Sequence, residues 1–458
     1  MRRCHRGHRK ICQVDRSRNG REDETRNGAG SAGVSNPRAR QRALAIGVRD
    51  RATEDEPLAE LKELLRTAGV AVSAEMVQQR PEPDPDRYFG AGKLRELKQQ
   101  IGASDANLVA CDDELAPRQE RNLEAALDVP VIDRTAIILD IFADHAHSAE
   151  GKLQVELAQL EYNLARMRGL WTHLERLGAG RMDGGIGTRG PGESQIETDR
   201  RLARDRIAAL RRRLVRLQRT RDVMRARREG TAIPTVALAG YTNAGKSTLL
   251  NAITGSGVEV GERLFETLDP TTRSYRHHGR KYLLTDTVGF IEKLPHQLVE
   301  AFKATLEETV LSDLILHVVD APASAERREA TMAAVDAVLE EIGAGESPRL
   351  LIFNKADLLS EEDRREASVG HADAIFVSAL DGEGIEELRD RIEQAFEETL
   401  REVELLVPYS EGARLHELHE LAGELDRTDR GDGVLVRARV PAAELHRFED
   451  LNVNGSGG

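Results

Sequence analysis

Residues 235–253, TVALAGYTNAGKSTLLNAI, constrain this chain more than any other stretch. TVALA is a β-rich apolar run and KSTLLNAI opens a helix, so the segment reads strand, loop, helix. Between the two, Gly240, Gly245, Lys246 and Ser247 take the G-x4-G-K-S spacing of a phosphate-binding loop. The glycines let the backbone of Tyr241, Thr242, Asn243 and Ala244 curl until several N–H groups point inward at phosphate oxygens. The helix that Lys246, Ser247 and Thr248 enter adds positive potential at its N-terminus. Lys246 can reach the β- and γ-phosphates, and Ser247 can ligate Mg²⁺. Such a unit belongs in a doubly wound α/β sheet that binds its ligand at the strand C-termini.

Three further motifs name the ligand. RLLIFNKADLL (349–359) is a buried strand ending in Asn354, Lys355, Ala356 and Asp357. A carboxylate at Asp357 accepts from both N1–H and the exocyclic amino group of guanine, and adenine offers neither donor in that arrangement. The expected nucleotide is therefore GTP or GDP, not ATP. FVSAL (376–380) brings Ser378, Ala379 and Leu380, a loop suited to presenting backbone N–H to the guanine oxygen. In YLLTDTVGF (282–290), Asp286 ends an apolar strand and can hold Mg²⁺ through water. Thr287 and Val288 follow it, and the Gly289 N–H can sense the γ-phosphate. FETLDPTTR (265–273) carries Phe265, Glu266, Thr267, Leu268 and Asp269, and it offers Thr267, Thr271 and Thr272 as further Mg²⁺ ligands.

The catalytic residue stays unknown. Phe290 stands where many GTPases place a water-orienting Gln, and no Arg is placed as a finger. Slow intrinsic hydrolysis, accelerated by a partner, is the expectation. Asn243, three residues before Lys246, occupies a position from which K⁺ can be held, and K⁺ there would supply the electrostatics of a finger.

Around this central α/β GTPase domain (231–400) the chain divides further. Residues 1–42 are rich in Arg, Gly, Ser and Asn and read as a disordered extension. Residues 43–148 alternate strands and helices: strands at 43–48, 70–77, 107–113 and in PVID, helices at 57–68, after FGAGK and in PRQERNLEAAL. A small parallel sheet is expected there. From 149 to 230, Leu153, Leu157, Leu160, Leu164, Met167, Trp171 and Leu174 step by alternate fours and threes, a seam of 3.5-residue period. Ile207, Leu210, Leu214 and Leu217 resume it after a glycine-rich loop (178–194), so an antiparallel helical hairpin is expected, with Arg181 and Arg189 at its tip. GIGTRG within that loop is a formal dinucleotide fingerprint, but a helix precedes it where a strand is required. Residues 401–458 read as a small α+β domain.

The net charge of −13 speaks against a nucleic-acid partner until it is mapped. Residues 1–42 carry a net +8 and residues 151–230 a net +9, so the acid lies elsewhere. Polyanion binding needs local basic surface, not a basic total. Three cysteines (Cys4, Cys12 and Cys111) make no disulfide framework, which favours a reducing cytoplasm. No stretch approaches the roughly 20 apolar residues of a membrane helix.

The motifs together are similar to those of the HflX family of ribosome-associated GTPases. The resemblance spans about 43–400 and rests on FGAGKLRELK, GKLQVELAQLEYNLARMRGLWTHLERL, GIGTRGPGESQIETDRR, GYTNAGKSTLLNAI, FETLDPTTR, DTVGFIEKLPHQLVEAFKATLEET and NKAD. It implies that Thr267 is the switch Mg²⁺ ligand and that a hydrophobic residue at Phe290 is normal. It also implies binding to the large (50S) ribosomal subunit through the Arg-rich hairpin and its tip, with a role in splitting stalled or idle ribosomes. Arg181, Met182 and Asp183 inside the glycine loop depart from that pattern. A monomer is expected. The alternative is a GTPase that regulates a protein assembly, with its hairpin as a dimerisation element and no RNA.

Overall fold

The computed structural model describes residues 41–50, 58–167, 191–228, 233–257, 264–265, 267–293, 306–397, 400–423 and 425–452. Residues 1–40, most of the glycine-rich loop, Trp171, Leu174, Arg181, Arg189 and Glu266 lie outside them. The chain falls into two compact units, one formed by 1–144 with 155–211 and the other by 145–154 with 212–458.

In the first unit, β1 (Arg42–Arg49), β2 (Ala71–Gln79), β3 (Leu108–Cys111) and β4 (Val131–Asp133) form a parallel sheet in the order β2-β1-β3-β4. Helices α1 (Ala59–Thr67), α2 (Ala91–Ser104) and α3 (Pro117–Leu127) connect the strands. Leu44, Ile46, Val109 and Cys111 are buried against Phe89, Leu97 and Leu123. Helix α4 (Arg134–His145) has no counterpart in the sequence reading. Its AIILDIF run lacks polar alternation, so periodicity cannot tell it from a buried strand. Arg134, 2% exposed, is held by Asp112 and Glu60.

Helix α5 (Ala149–Arg166) starts in the second unit and ends in the first, where Arg166 holds Asp133 and Glu120 and Tyr162 donates to Asp133. Helix α6 (Pro191–Arg228) starts inside the stretch assigned from sequence to the loop, because proline with its fixed φ suits a first helical turn. Glu156 pairs with Arg206 and Glu161 with Arg211. That is a constant offset of 50 residues rather than the constant sum of a strictly antiparallel pair. The antiparallel course is therefore not traced by these contacts, and the reversal at 168–190 lies outside the described residues.

The second unit holds a six-stranded sheet. Its strands are β5 (Thr235–Gly240), β6 (Thr271–His277), β7 (Arg280–Asp286), β8 (Leu314–Asp320), β9 (Arg349–Asn354) and β10 (Ile375–Val377), in the order β10-β9-β8-β5-β7-β6. Only β6 runs antiparallel to its neighbour. Helices α7 (Lys246–Thr254), α8 (Ala325–Ile342), α9 (Glu361–Ser368) and α10 (Ile385–Glu397) accompany it. Strands β5 and β8 are buried almost throughout, as parallel strands covered on both faces must be. The register sets Leu238 beside Asp286, Gly240 beside Val318, and Asp320 and Val377 beside Asn354, so the motif-bearing strand ends line one edge.

A three-stranded antiparallel sheet follows: β11 (Leu400–Val407), β12 (Asp426–Asp429) and β13 (Val434–Pro441), in the order β11-β13-β12. With α11 (Gly412–Ala422) it closes on Leu405, Leu418, Val436 and Phe448. The sequence of β12, DRTD, is exposed along its length and shows no hydrophobic pattern; its ladder to β13 alone makes it a strand. No helix among the described residues is long and apolar enough to cross a membrane.

Candidate nucleotide site

Gly240 ends β5 so close to β8 that a Cβ would stand 2.3 Å from the carbonyl oxygen of Val318. The loop then curls, with Asn243 at φ 62° and Gly245 at φ 88°. At Gly245 a side chain is excluded twice over, by the positive φ and by Asn354 Nδ2, which a Cβ would meet at 2.2 Å. Asn354 donates to Ala244 O (2.8 Å) and accepts from Ala379 N (3.1 Å), and it is buried. Read from sequence as a nucleotide contact, Asn354 laces the phosphate loop, β9 and the Ser378–Ala379–Leu380 loop together.

Lys246 opens α7 and is buried. Its Nζ donates to Gly240 O (3.1 Å) and Tyr241 O (2.9 Å), so it lies across the loop it serves. Burial pulls its pKa down to about 8, against the opposing pull of Asp286. Asp286 itself is pushed above the usual carboxylate range by burial, although Lys246 and the hydroxyls of Ser247 and Thr267 counter this.

Those hydroxyls converge. Ser247 Oγ donates to Asp286 Oδ2 at 2.5 Å, Thr267 Oγ1 donates to the same oxygen at 3.1 Å, and the two hydroxyls are 3.0 Å apart. Asp286 Oδ1 is buried with no hydrogen-bond partner. Two hydroxyls and a carboxylate with one buried oxygen left unpartnered are the all-oxygen chemistry that Mg²⁺ takes. Of the three candidate threonines, Thr267 is the one brought to Ser247. Thr271 and Thr272 already lie in β6, where Thr272 bonds the Thr285 hydroxyl at 2.9 Å.

Several other predicted residues serve the scaffold. Thr287 Oγ1 donates to Leu238 O at 2.7 Å. The side chains of Phe265, Leu268 and Val288 are buried. Asp269 directs its carboxylate at the backbone N–H of His147 (3.0 Å) and Ser148 (2.6 Å). Gly289 packs tightly, since a Cβ would lie 2.8 Å from Thr242 Cγ2 and 3.0 Å from Lys246 Nζ. Phe290 exchanges backbone bonds with the phosphate loop, accepting from Thr242 N (2.7 Å) and donating to Gly240 O (3.1 Å). Its ring is 1% exposed, among Leu306, Val335 and Leu339, so it is turned into the core. On the other side Lys355, at φ 65°, pairs with Asp320 at 2.9 Å, while Asp357 on the turn Ala356–Leu358 and Leu380 are exposed.

A cluster that sequence did not suggest joins the end of β6 and the turn after it to α10. His277 Nε2 lies 2.7 Å from Asp390 Oδ1, and His278 Nδ1 lies 2.7 Å from Glu393 Oε2. Ligand atoms around a tetrahedral metal with bonds of about 2.0–2.1 Å stand about 3.3 Å apart. These closer contacts are those of two imidazole–carboxylate hydrogen bonds, which latch the turn to the helix.

Family models match the chain along three consecutive segments: a GTP-binding GTPase N-terminal model at residues 55–143, a GTP-binding GTPase middle-region model at 145–228 and a 50S ribosome-binding GTPase model at 235–355. The GTPase HflX of Lacrimispora saccharolytica is 44% identical over 401 residues, 87% of this chain and 93% of that protein. The chain belongs to the HflX family of GTPases. The GTPase HflX of Escherichia coli is 42% identical over 397 residues, 86% of this chain and 92% of that protein. A crystal structure of a GTP-binding protein from Sulfolobus solfataricus in complex with GDP aligns at 26% identity and a TM-score of 0.41, covering 78% of this chain and 98% of that one. Within the HflX family this chain is an enzyme that hydrolyses GTP, and nothing in these matches favours the dimerising alternative.

Proposed function

We propose that this HflX-family chain is a GTP-driven switch that docks on the RNA of the large ribosomal subunit in the cytoplasm, as a monomer. The convergence of Ser247 and Thr267 on Asp286 carries the switch half of this reading. Mg²⁺ would be held directly by Ser247 and Thr267 and through water by Asp286, and it would neutralise charge developing on the β- and γ-phosphate oxygens. Ordering of the loop that carries Thr267 then depends on the triphosphate. Asp357 and the backbone of Ser378, Ala379 and Leu380 would hold the base.

The docking half rests on the match at 235–355 and on α6. Arg201 and Arg204 stand exposed on α6, and Arg212, Arg213 and Arg216 continue the basic face. Guanidinium forks suit phosphate oxygens. The test is sedimentation of ribosomal subunits with the chain and either GDP or a non-hydrolysable GTP analogue. Co-migration with the large subunit in the triphosphate form alone is expected. Charge reversal by Arg200→Glu, Arg201→Glu and Arg204→Glu together should abolish it, and each lost phosphate contact lowers the salt dependence of binding. Retained binding would place the docking surface elsewhere.

Hydrolysis is expected to depend on K⁺. Asn243 is exposed at the front of the phosphate loop, and no side chain of the finger type is available at Phe290. Replacing K⁺ by Na⁺ at constant ionic strength should slow turnover about tenfold or more, since removing one preorganised charge from such a site costs at least that. An equal rate in both salts refutes the K⁺ role.

A further inference from the structure

The loop that carries Thr267 is gripped on both sides by one short segment, His145 to Ser148. Two residues before Thr267, the carbonyl of Phe265 meets His145 Nδ1 at 2.6 Å. Phe265 needs such a hold, because it sits at φ 57°, a region that a bulky side chain rarely adopts. Two residues after Thr267, the Asp269 carboxylate accepts from His147 N and Ser148 N, and from the Ser148 hydroxyl.

Ser148 has a second task. Its Oγ accepts from Gly151 N at 2.8 Å, which makes it the N-cap of α5. The hydroxyl thus accepts from the helix and donates to Asp269. The carboxylate also sits at a helix N-terminus, where negative charge is favoured. Gly151 completes the fit. A Cβ there would stand 2.6 Å from Asp269 Oδ1, so only glycine lets the carboxylate approach the first turn.

We propose that His145 and Ser148 are positioning residues for Thr267, and that their hold on Phe265 and Asp269 sets the preference of this site for the triphosphate over the diphosphate. The proposal rests on the reading of Thr267 as a Mg²⁺ ligand. Neither residue is placed to touch nucleotide or metal; His145 holds a backbone carbonyl and Ser148 a carboxylate on either side of a ligand that only the triphosphate state uses. Losing the hold leaves the phosphate loop and the base contacts intact, so GDP affinity stays put while GTP affinity falls.

The experiment compares the full chain with Ser148→Ala, Ser148→Thr, Gly151→Ala and Thr267→Ala. Dissociation constants for GDP and for a non-hydrolysable GTP analogue are measured in Mg²⁺, together with the Mg²⁺ concentration that half-saturates GTP hydrolysis. Ser148→Ala and Gly151→Ala should each weaken the analogue about tenfold, the worth of a lost cap or a charge-assisted hydrogen bond. Both should leave GDP within twofold and raise the Mg²⁺ requirement. Ser148→Thr keeps the hydroxyl and should restore all three values. The thermal midpoint of every variant is read beside its binding, and Ser148→Thr, which keeps both the cap and the hydroxyl, separates positioning from folding. Unchanged discrimination in Ser148→Ala and Gly151→Ala, with Thr267→Ala still losing it, overturns the positioning role alone. Unchanged discrimination in Thr267→Ala overturns the Mg²⁺ reading beneath it.

Discussion

Asp357→Asn should lower affinity for GTP by roughly a hundredfold or more and open the site to xanthosine triphosphate. Two hydrogen bonds to a charged acceptor are each worth about 1.5–3 kcal/mol, so losing both costs at least two orders of magnitude in Kd. Asn presents a donor where guanine presents another donor, whereas xanthine carries an oxygen at that carbon and pairs with the amide. Asp357 is exposed on a three-residue turn, so the substitution should leave the thermal midpoint unchanged. Competition binding with both triphosphates reads the result. Unaltered preference for GTP would mean that Asp357 does not select the base.

Lys246→Met should separate function from stability in opposite directions. Removing the buried ammonium that, on the proposed reading, serves the β- and γ-phosphates should cut GTP hydrolysis about a thousandfold, the scale seen when one preorganised donor is deleted. The nucleotide-free protein should become more stable. Lys246 is held at a pKa of about 8, below the unfolded value near 10.4, so the folded state binds fewer protons between those values. The cost of burying the charge is felt in full below pH 8 and fades as pH rises toward 10.4. Methionine removes that cost, up to about 3 kcal/mol at neutral pH, and the gain should shrink in the same alkaline window. Denaturant unfolding at pH 7 and pH 9.5 checks the sign. A destabilised variant at pH 7 would show that the hydrogen bonds of Lys246 to Gly240 and Tyr241 outweigh its desolvation.

Contiguous motifs were legible because their chemistry is local. Gly240 to Thr248, Asp286 to Gly289 and Asn354 to Asp357 each bring strand end and turn in one stretch, and their order implies a parallel sheet. Helix α3 was legible residue for residue, since Pro117 marks its first turn and Leu123 and Leu127 its buried face. The rest depended on distant partners. Asn354 has the sequence signature of a base-recognition motif, yet its amide is committed to Ala244, 110 residues away. Asp269 reads as part of a nucleotide loop, and its partners stand more than 120 residues earlier. Nothing within a window of either residue encodes those pairings. Helix α4 and strand β12 fail for the complementary reason: one has too uniform a hydrophobic run and the other none, so neither shows a period.

Helix α5 begins at the Asp269 carboxylate, which accepts from Ser148 N just before its first turn. The first turn of α5 and the loop that carries Thr267 are therefore bound to one another within the second unit. If triphosphate binding favours one seating of that turn, any partner that favours the same seating must tighten triphosphate binding by the same factor. The chain could therefore report ribosome contact to its nucleotide without a single ribosomal group entering the GTP pocket.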